Sequence, residues 1–95
     1  MTVTLCVLLW AKEGRADELV DYEDRVLALL PGHGARVVHR MRSDGRDGAP
    51  LEVHVLEFPD DDAFDAFMTD DRRTVLAELR ERAIERTEVV RVALV

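Results

Sequence analysis

The chain has 95 residues, with 13 lysines and arginines against 20 aspartates and glutamates, a formal net charge of -7 and a sequence pI near 4.8. This acidic balance argues against a nucleic-acid-binding face or an anionic-membrane partner, because both require a basic patch. A chain of this length is expected to form one domain, residues 1–95, that buries only roughly two-thirds of its unfolded surface, so we expect a homo-oligomer.

The first predicted element is a β-strand from Thr2 to Trp10 with apolar side chains on both faces. Leu5 and Leu9 alternate with Cys6 and Leu8, and a strand that is apolar on both sides is normally covered on both sides. The helices of so short a chain can cover only one face of a sheet. We therefore expect the second face to contact another subunit or a ligand.

Cys6 is the only cysteine, so no intrachain disulfide can form, and a cytoplasmic protein is expected. In the middle of an apolar strand this residue should pack as a small hydrophobe, since a nucleophilic thiol needs exposure and an adjacent base. The apolar run around it lacks the basic flank and the cleavage site of a secretory signal. We interpret the run as a strand.

A helix and an edge strand follow the first strand. Residues 16–30 carry an apolar stripe at helical spacing, and Pro31 and Gly32 end the helix. The second strand, Gly34 to Arg42, has three arginines and only one valine on one of its sides, which is typical of an edge strand protected from aggregation. The polar, glycine-rich segment Ser43–Pro50 is predicted to be a hairpin loop.

The third predicted strand runs from Leu51 to Phe58. Pro59 ends it because proline has no N–H for the ladder, and the aspartates 60–62 open a helix. This carboxylate run is interpreted as a helix cap that complements the helix dipole rather than as a cation site.

The C-terminal region is predicted to be helical up to Arg86, with a break near Thr69 and Asp70, and to end in a strand from Glu88 to Val95. The resulting order βαββαβ predicts a ferredoxin-like α+β fold. Such a fold has a four-stranded antiparallel sheet in the order 4-1-3-2, with its helices on one face.

Several short segments resemble a known group of proteins: Tyr22-Glu23, Gly34 with Arg40, Glu57-Phe58-Pro59 and the following DAFDAFMTDDRR. They resemble small uncharacterised bacterial proteins of the dimeric α/β-barrel superfamily whose signature is E-F-P. That superfamily includes antibiotic-biosynthesis monooxygenases, stress-responsive barrel proteins and muconolactone-isomerase-like enzymes. The resemblance implies a homodimer whose two sheets pack face to face, with any ligand between sheet and helices or inside the barrel.

The three histidines lack the spacing of a metal site, and we predict neither a metal nor a cofactor. The even length of the hairpin loop places His39 directly opposite His54 in the predicted ladder. Two facing imidazoles can share a metal ion or a proton, and the simpler alternative is an ordinary cross-strand pair near the sheet edge.

The same pairing places Arg40 and Glu57 on the sheet face away from the helices, because Phe58 must be buried beside the helix that follows it. A carboxylate and guanidinium groups in an apolar cleft can bind an acidic small molecule or orient a proton-transfer group. The alternatives are an intersubunit ion pair and a single β-bulge that reverses the parity and moves His54 into the cleft. The candidate catalytic residues are Glu57, Arg40 and His54, and the candidate ligand-binding residues are Trp10, Arg36, Arg40, Glu57 and Arg91.

Two classes of function follow from the sequence. The first is an enzyme that acts on a small organic molecule without a metal or cofactor, and the resemblance implies monooxygenase-like or isomerase-like chemistry for it. The second is a non-catalytic dimeric binding or structural module whose sheet face is entirely interface. A pocket of a few hundred Å³ with convergent polar groups favours the first class, and a filled barrel favours the second.

Overall fold

The computed structural model describes residues 2–95, which form a four-stranded antiparallel sheet with helices on one face. The sheet order β2-β3-β1-β4 confirms the predicted ferredoxin-like arrangement. No helix among these residues combines the length and the apolar character that crossing a bilayer requires. The strands are β1 (Val3–Ala11), β2 (Arg36–Arg42), β3 (Glu52–Phe58) and β4 (Ile84–Val92), and the helices are α1 (Ala16–Leu27), α2 (Asp61–Met68), α3 (Asp71–Thr74) and α4 (Ala77–Ala83).

The core lies between the sheet and the helices, because both layers turn an apolar side toward each other. From the sheet, Leu5, Leu9 and Phe58 are buried, and Leu19 and Val26 of α1 pack against the same cluster. The opposite side of β1 carries Thr4, Cys6, Leu8 and Trp10, all of them half-buried. We call this side of the sheet the helix-free face.

The helix that follows β3 begins where its sequence predicts. The Asp60 carboxylate accepts a hydrogen bond of 2.8 Å from the backbone N–H of Ala63, which confirms the interpretation of the aspartate run as a cap. The predicted break is also present, since α2 ends at Met68 and Asp70 caps the next helix by accepting from the Arg72 N–H at 2.9 Å.

The end of the helical region is predicted incorrectly. The last helix stops at Ala83 and β4 starts at Ile84 without a loop, whereas the sequence predicts helix up to Arg86. Tertiary pairing is the reason, because the first residues of β4 pair with the end of β1, and the guanidinium of Arg86 lies 4.2 Å from the centre of the Trp10 ring.

A β-bulge at Val38 changes the pairing of the hairpin. Val37 pairs with Leu56, but the next paired residue is His39, which faces Val55. The extra residue reverses the parity of β2 from that point on. The predicted pairing of His39 with His54 is therefore wrong. His39 lies exposed on the helix-free face, and Arg40 is the residue that faces His54.

Candidate functional site

A cavity of about 270 Å³ lies between the sheet and the helices. Its walls are mostly apolar. The sheet side of the wall includes Leu5, Val7 and Leu56, and Val26, Phe64 and Phe67 close it from the helices. A space of this kind is a typical small-molecule site when a few polar groups converge on it, and six polar side chains line this one: Tyr22, Glu23, His54, Arg73, Arg80 and Thr87.

His54 is the best-anchored of these polar groups. It is 1% exposed, and its Nε2 lies 2.7 Å from the Oε1 of Glu52, which is completely buried two residues earlier on the same side of β3. Glu52 in turn accepts hydrogen bonds from the guanidinium groups of Arg40, at 2.8 Å and 3.1 Å, and of Arg42, at 2.9 Å. The imidazole is thus held in one orientation by a carboxylate that is itself held by two arginines.

The charge of Glu52 decides which nitrogen of His54 carries a proton. Burial alone would raise the pKa of Glu52, but the hydrogen bonds from His54, Arg40 and Arg42 outweigh it and lower that pKa to about 2. An ionised carboxylate can only accept, so Nε2 of His54 is the donor. The other ring nitrogen, Nδ1, has no hydrogen-bond partner among residues 2–95 and is available to a bound molecule.

Glu23 of α1 is the second titratable group of the cavity, and it is 6% exposed. Its carboxyl group makes no hydrogen bond or ion pair with another residue of the described chain. Burial raises the pKa of Glu23, and the nearby charge of His54 opposes that effect only in part. A carboxyl group with a raised pKa and no partner is suited to donate a proton to a ligand.

Tyr22 precedes Glu23 and is 1% exposed. Burial raises the pKa of its phenol, so the hydroxyl stays protonated at neutral pH and can donate a hydrogen bond into the cavity. Glu23 is not among the site residues predicted from the sequence. The sequence does mark Glu23 as unusual, because an acidic residue here interrupts the apolar stripe of α1. It lies four residues after Leu19 and three before Val26.

Two arginines from the helical layer complete the polar lining. The guanidinium carbon of Arg73 lies 5.2 Å from the centre of the Phe67 ring, and the Nε of Arg73 is buried without a hydrogen-bond partner. Arg80 donates to the hydroxyl of Thr87 on β4, at 3.3 Å. Both cations therefore face a space where an acceptor from outside the chain can bind.

The sheet face predicted to hold the site does not bring its residues together. Because of the bulge, Arg40 lies on the helix side, where it also contacts Asp24 of α1 at 2.6 Å. Glu57 and Arg36 are on the helix-free face as predicted, and they form an exposed cross-strand ion pair of 3.1 Å.

Two further predicted ligand-binding residues also lie apart from each other. Arg91 pairs with Leu5 and reaches Asp61 of α2 at 2.6 Å, so this candidate ligand-binding residue lies on the helix side and not on the helix-free face with Trp10. The register of β4 is the reason, since it places every second residue from Thr87 onward on the helix side. The indole of Trp10 donates to the Gly48 carbonyl at 2.8 Å and anchors the hairpin loop.

The remaining histidines do not join the site. His33 lies 2.7 Å from the Asp70 carboxylate and edge-on to Phe67, in a contact that ties the start of β2 to the helices. His39 is on the far side of the sheet. Among residues 2–95, no three histidine, cysteine or acidic side chains are arranged to hold a metal ion.

Residues 12–93 match the family described as a domain of unknown function, DUF1330. The chain belongs to the DUF1330 family. The matched segment contains every polar residue of the cavity, from Tyr22 on α1 to Thr87 on β4. No curated protein matches the sequence of this DUF1330 chain.

Several solved structures share the fold of this DUF1330 domain. PA3566 from Pseudomonas aeruginosa has a TM-score of 0.77 at 15% identity, over 99% of this chain and 94% of that one. RPA0582, a protein of unknown function from Rhodopseudomonas palustris, has a TM-score of 0.79 at 16% identity, over 99% and 82%. A NIPSNAP-like domain protein from Burkholderia xenovorans has a TM-score of 0.78 at 10% identity, over 99% and 85%. Identities this low show a common fold and nothing about a common activity.

Proposed function

We propose that this DUF1330 chain, as a single domain of residues 1–95, is an enzyme that catalyses proton transfer on a small organic molecule bound in the cavity, without a metal or a tightly bound cofactor. One observation carries the proposal: a histidine oriented by a buried carboxylate lines the same apolar cavity as Glu23, an unpartnered carboxyl group with a raised pKa. An oriented imidazole and a carboxyl group that line one cavity are a characteristic arrangement for acid–base catalysis.

The roles of the two groups follow from their surroundings. Nδ1 of His54 is the base and removes a proton from a carbon next to a carbonyl group of the substrate. The protonated carboxyl group of Glu23 then returns a proton to another atom of the substrate. The net reaction is an isomerisation, and protons exchanged with water restore both groups. Glu52 touches no substrate; it is a positioning residue that keeps the imidazole in place.

An isomerase-like reaction is the simplest one that these residues support, because it needs only an acid and a base. The monooxygenase-like chemistry implied by the superfamily resemblance begins with the same proton removal but also consumes molecular oxygen. A non-catalytic binding module would use the same cavity without moving protons. Proton exchange at a bound ligand therefore separates an enzyme from a binding module.

The test is deuterium exchange in D₂O, followed by NMR, with a panel of small molecules that carry a C–H bond next to a carbonyl group. We expect the wild-type protein to catalyse exchange for at least one compound, and His54→Gln to lower the rate at least about 100-fold, as for loss of a general base. His39→Gln is the matched control, because His39 is exposed on the opposite face. Equal rates for wild type and His54→Gln would overturn the proposal.

We also propose that the protein is a homodimer in which two helix-free faces pack together as a dimeric α/β barrel. The support is the apolar character of that face: Cys6 lies between Val55 and Val90 of the neighbouring strands, and Leu8 lies beside Val53. Met41 and Val90 are 50% and 49% exposed, although both are large apolar residues. Contiguous apolar surface of this kind is a mark of a protein interface.

The dimer predicts a sedimentation mass of twice 10.8 kDa at micromolar concentration, with an interface above roughly 1,000 Å² in total. Leu8→Glu should produce a monomer, because it buries a charge without a partner in the middle of the interface. Val75→Glu is the control, since Val75 is 77% exposed and belongs to the helical layer. A folded wild-type monomer would exclude the face-to-face barrel.

We propose a cytoplasmic location, supported by the free thiol of Cys6, which needs no oxidising compartment. Cell fractionation with a tagged protein tests it, and recovery from a secreted fraction would contradict it.

A further inference from the structure

The arginines of this chain are almost all paired with carboxylates. Lys12 is the only lysine, so the 13 basic residues include twelve arginines. Ten of these arginines form a salt bridge with an aspartate or glutamate among residues 2–95. The two that do not are Arg73 and Arg80, and both line the cavity. In a protein with a net charge of -7, cations without carboxylate partners in one enclosed place require an explanation.

Arg73 is the more informative of the two. Its guanidinium group lies over the Phe67 ring, and its Nε–H is buried without an acceptor. A buried donor without an acceptor destabilises the protein, and an acceptor supplied by a ligand removes that cost. Arg80 donates to the neutral hydroxyl of Thr87 and interacts with that of Tyr22, so its charge is not compensated by a carboxylate either.

The cavity is therefore biased toward anions. Glu23 is the only acidic residue in its lining, and its raised pKa lowers the negative charge that it can supply. Two guanidinium groups and this one carboxyl group line the same mostly apolar cavity, where an uncompensated charge attracts a counter-charge strongly.

We propose that the ligand of this cavity is a small organic carboxylate, whose charged group pairs with Arg73 and Arg80 and whose apolar part packs against the sheet. The inference rests on the proposed function for its site and adds the class of the substrate. The planar guanidinium fork matches a carboxylate with two parallel hydrogen bonds. The volume of about 270 Å³ lies near the lower end of the range for small-molecule sites, so a small ligand fits it best.

The experiment compares carboxylates with neutral amides of the same shape. Phenylacetate and 4-methylpentanoate are titrated against phenylacetamide and 4-methylpentanamide, and binding is followed by amide chemical shifts. We expect each carboxylate to bind the wild-type protein at least about tenfold more tightly than its amide, as for hydrogen bonds to a charged group. Arg73→Met and Arg80→Met should each reduce that preference to about threefold or less, while Arg25→Met, at an exposed pair with Asp21, should retain it.

The other possible results contradict either the carboxylate inference alone or the proposed function as well. Equal binding of carboxylates and amides, or a preference that survives both arginine substitutions, overturns the carboxylate inference and leaves the proton-transfer proposal in place. Binding of neither series overturns the cavity as a ligand site and the proposed function with it. If a variant fails to fold, the comparison within the wild-type protein decides the inference by itself.

Discussion

Glu52→Gln should lower the free energy of unfolding by about 3–5 kcal/mol, which is the usual cost of removing one partner from a buried ionic network. The Glu52 side chain is 0% exposed and accepts from Arg40, Arg42 and His54. Glutamine has nearly the same shape but carries no charge, so the substitution leaves Arg42 without a carboxylate and Arg40 with only Asp24. Such a loss corresponds to a fall in melting temperature of at least roughly 12 °C for a domain of this size.

Chemical denaturation of wild type and variant measures this effect, and Asp21→Asn is the control. Asp21 lies on α1, outside the proposed dimer interface, and its side chain is 51% exposed and that of its partner Arg25 is 58% exposed. An exposed pair of this kind contributes at most about 1 kcal/mol. Equal losses for the two variants would show that the network around Glu52 is not buried.

The pH dependence of stability gives an independent measure of the same network. The folded-state pKa of Glu52 is lowered to about 2 from a model-compound value of 4.5. For a lowered pKa, the stabilisation is fully present above about pH 4.5 and is lost as the pH falls toward 2, because the unfolded chain binds the proton first. The difference in free energy of unfolding between wild type and Glu52→Gln should therefore be constant from neutral pH down to pH 5. It should shrink as the pH falls further toward 2.

In contrast to Glu52→Gln, Glu23→Leu should raise the free energy of unfolding, by about 1–3 kcal/mol near pH 8. Glu23 is 6% exposed in an apolar cavity without a hydrogen-bond partner, so its ionised form is poorly solvated in the folded protein. Leucine has a similar volume and no charge. The same variant should lose the proposed isomerisation, because it has no acid to return the proton, and a stabilising change that abolishes activity is characteristic of a functional group.

The direction in which the stability difference changes with pH distinguishes the removal of a buried charge from a general improvement in packing. The folded-state pKa of Glu23 is raised, so the unfolded chain releases its proton first and wild type loses stability as the pH rises above 4.5. The advantage of Glu23→Leu should therefore grow with pH and be smallest at pH 4.5 and below. Glu78→Leu, at an exposed position of α4, should change stability by less than about 0.5 kcal/mol at any pH. A destabilised Glu23→Leu protein at pH 8 would contradict the assignment.

The site was only partly predictable from the sequence. His54 was identified as a candidate, and the burial of Phe58 correctly placed it on the helix side of β3. The same parity places Glu52 two residues earlier on that side, but its partner Arg40 was assigned to the other face, so the network was missed. Arg73 and Arg80 carry no recognisable signal, since an unpaired arginine differs from a paired one only in what surrounds it.

The sequence by itself determined the elements, their order and the caps, because these depend on neighbours within a few residues. Pro59 ends a strand, Asp60 caps a helix, and the apolar periods of 2 and 3.6 residues orient each element toward one core. Only the tertiary structure decided the bulge at Val38, the start of β4 at Ile84 and the strand registers. A single extra residue in a ladder moves every later side chain to the other face, and whether it occurs depends on packing against distant strands and helices.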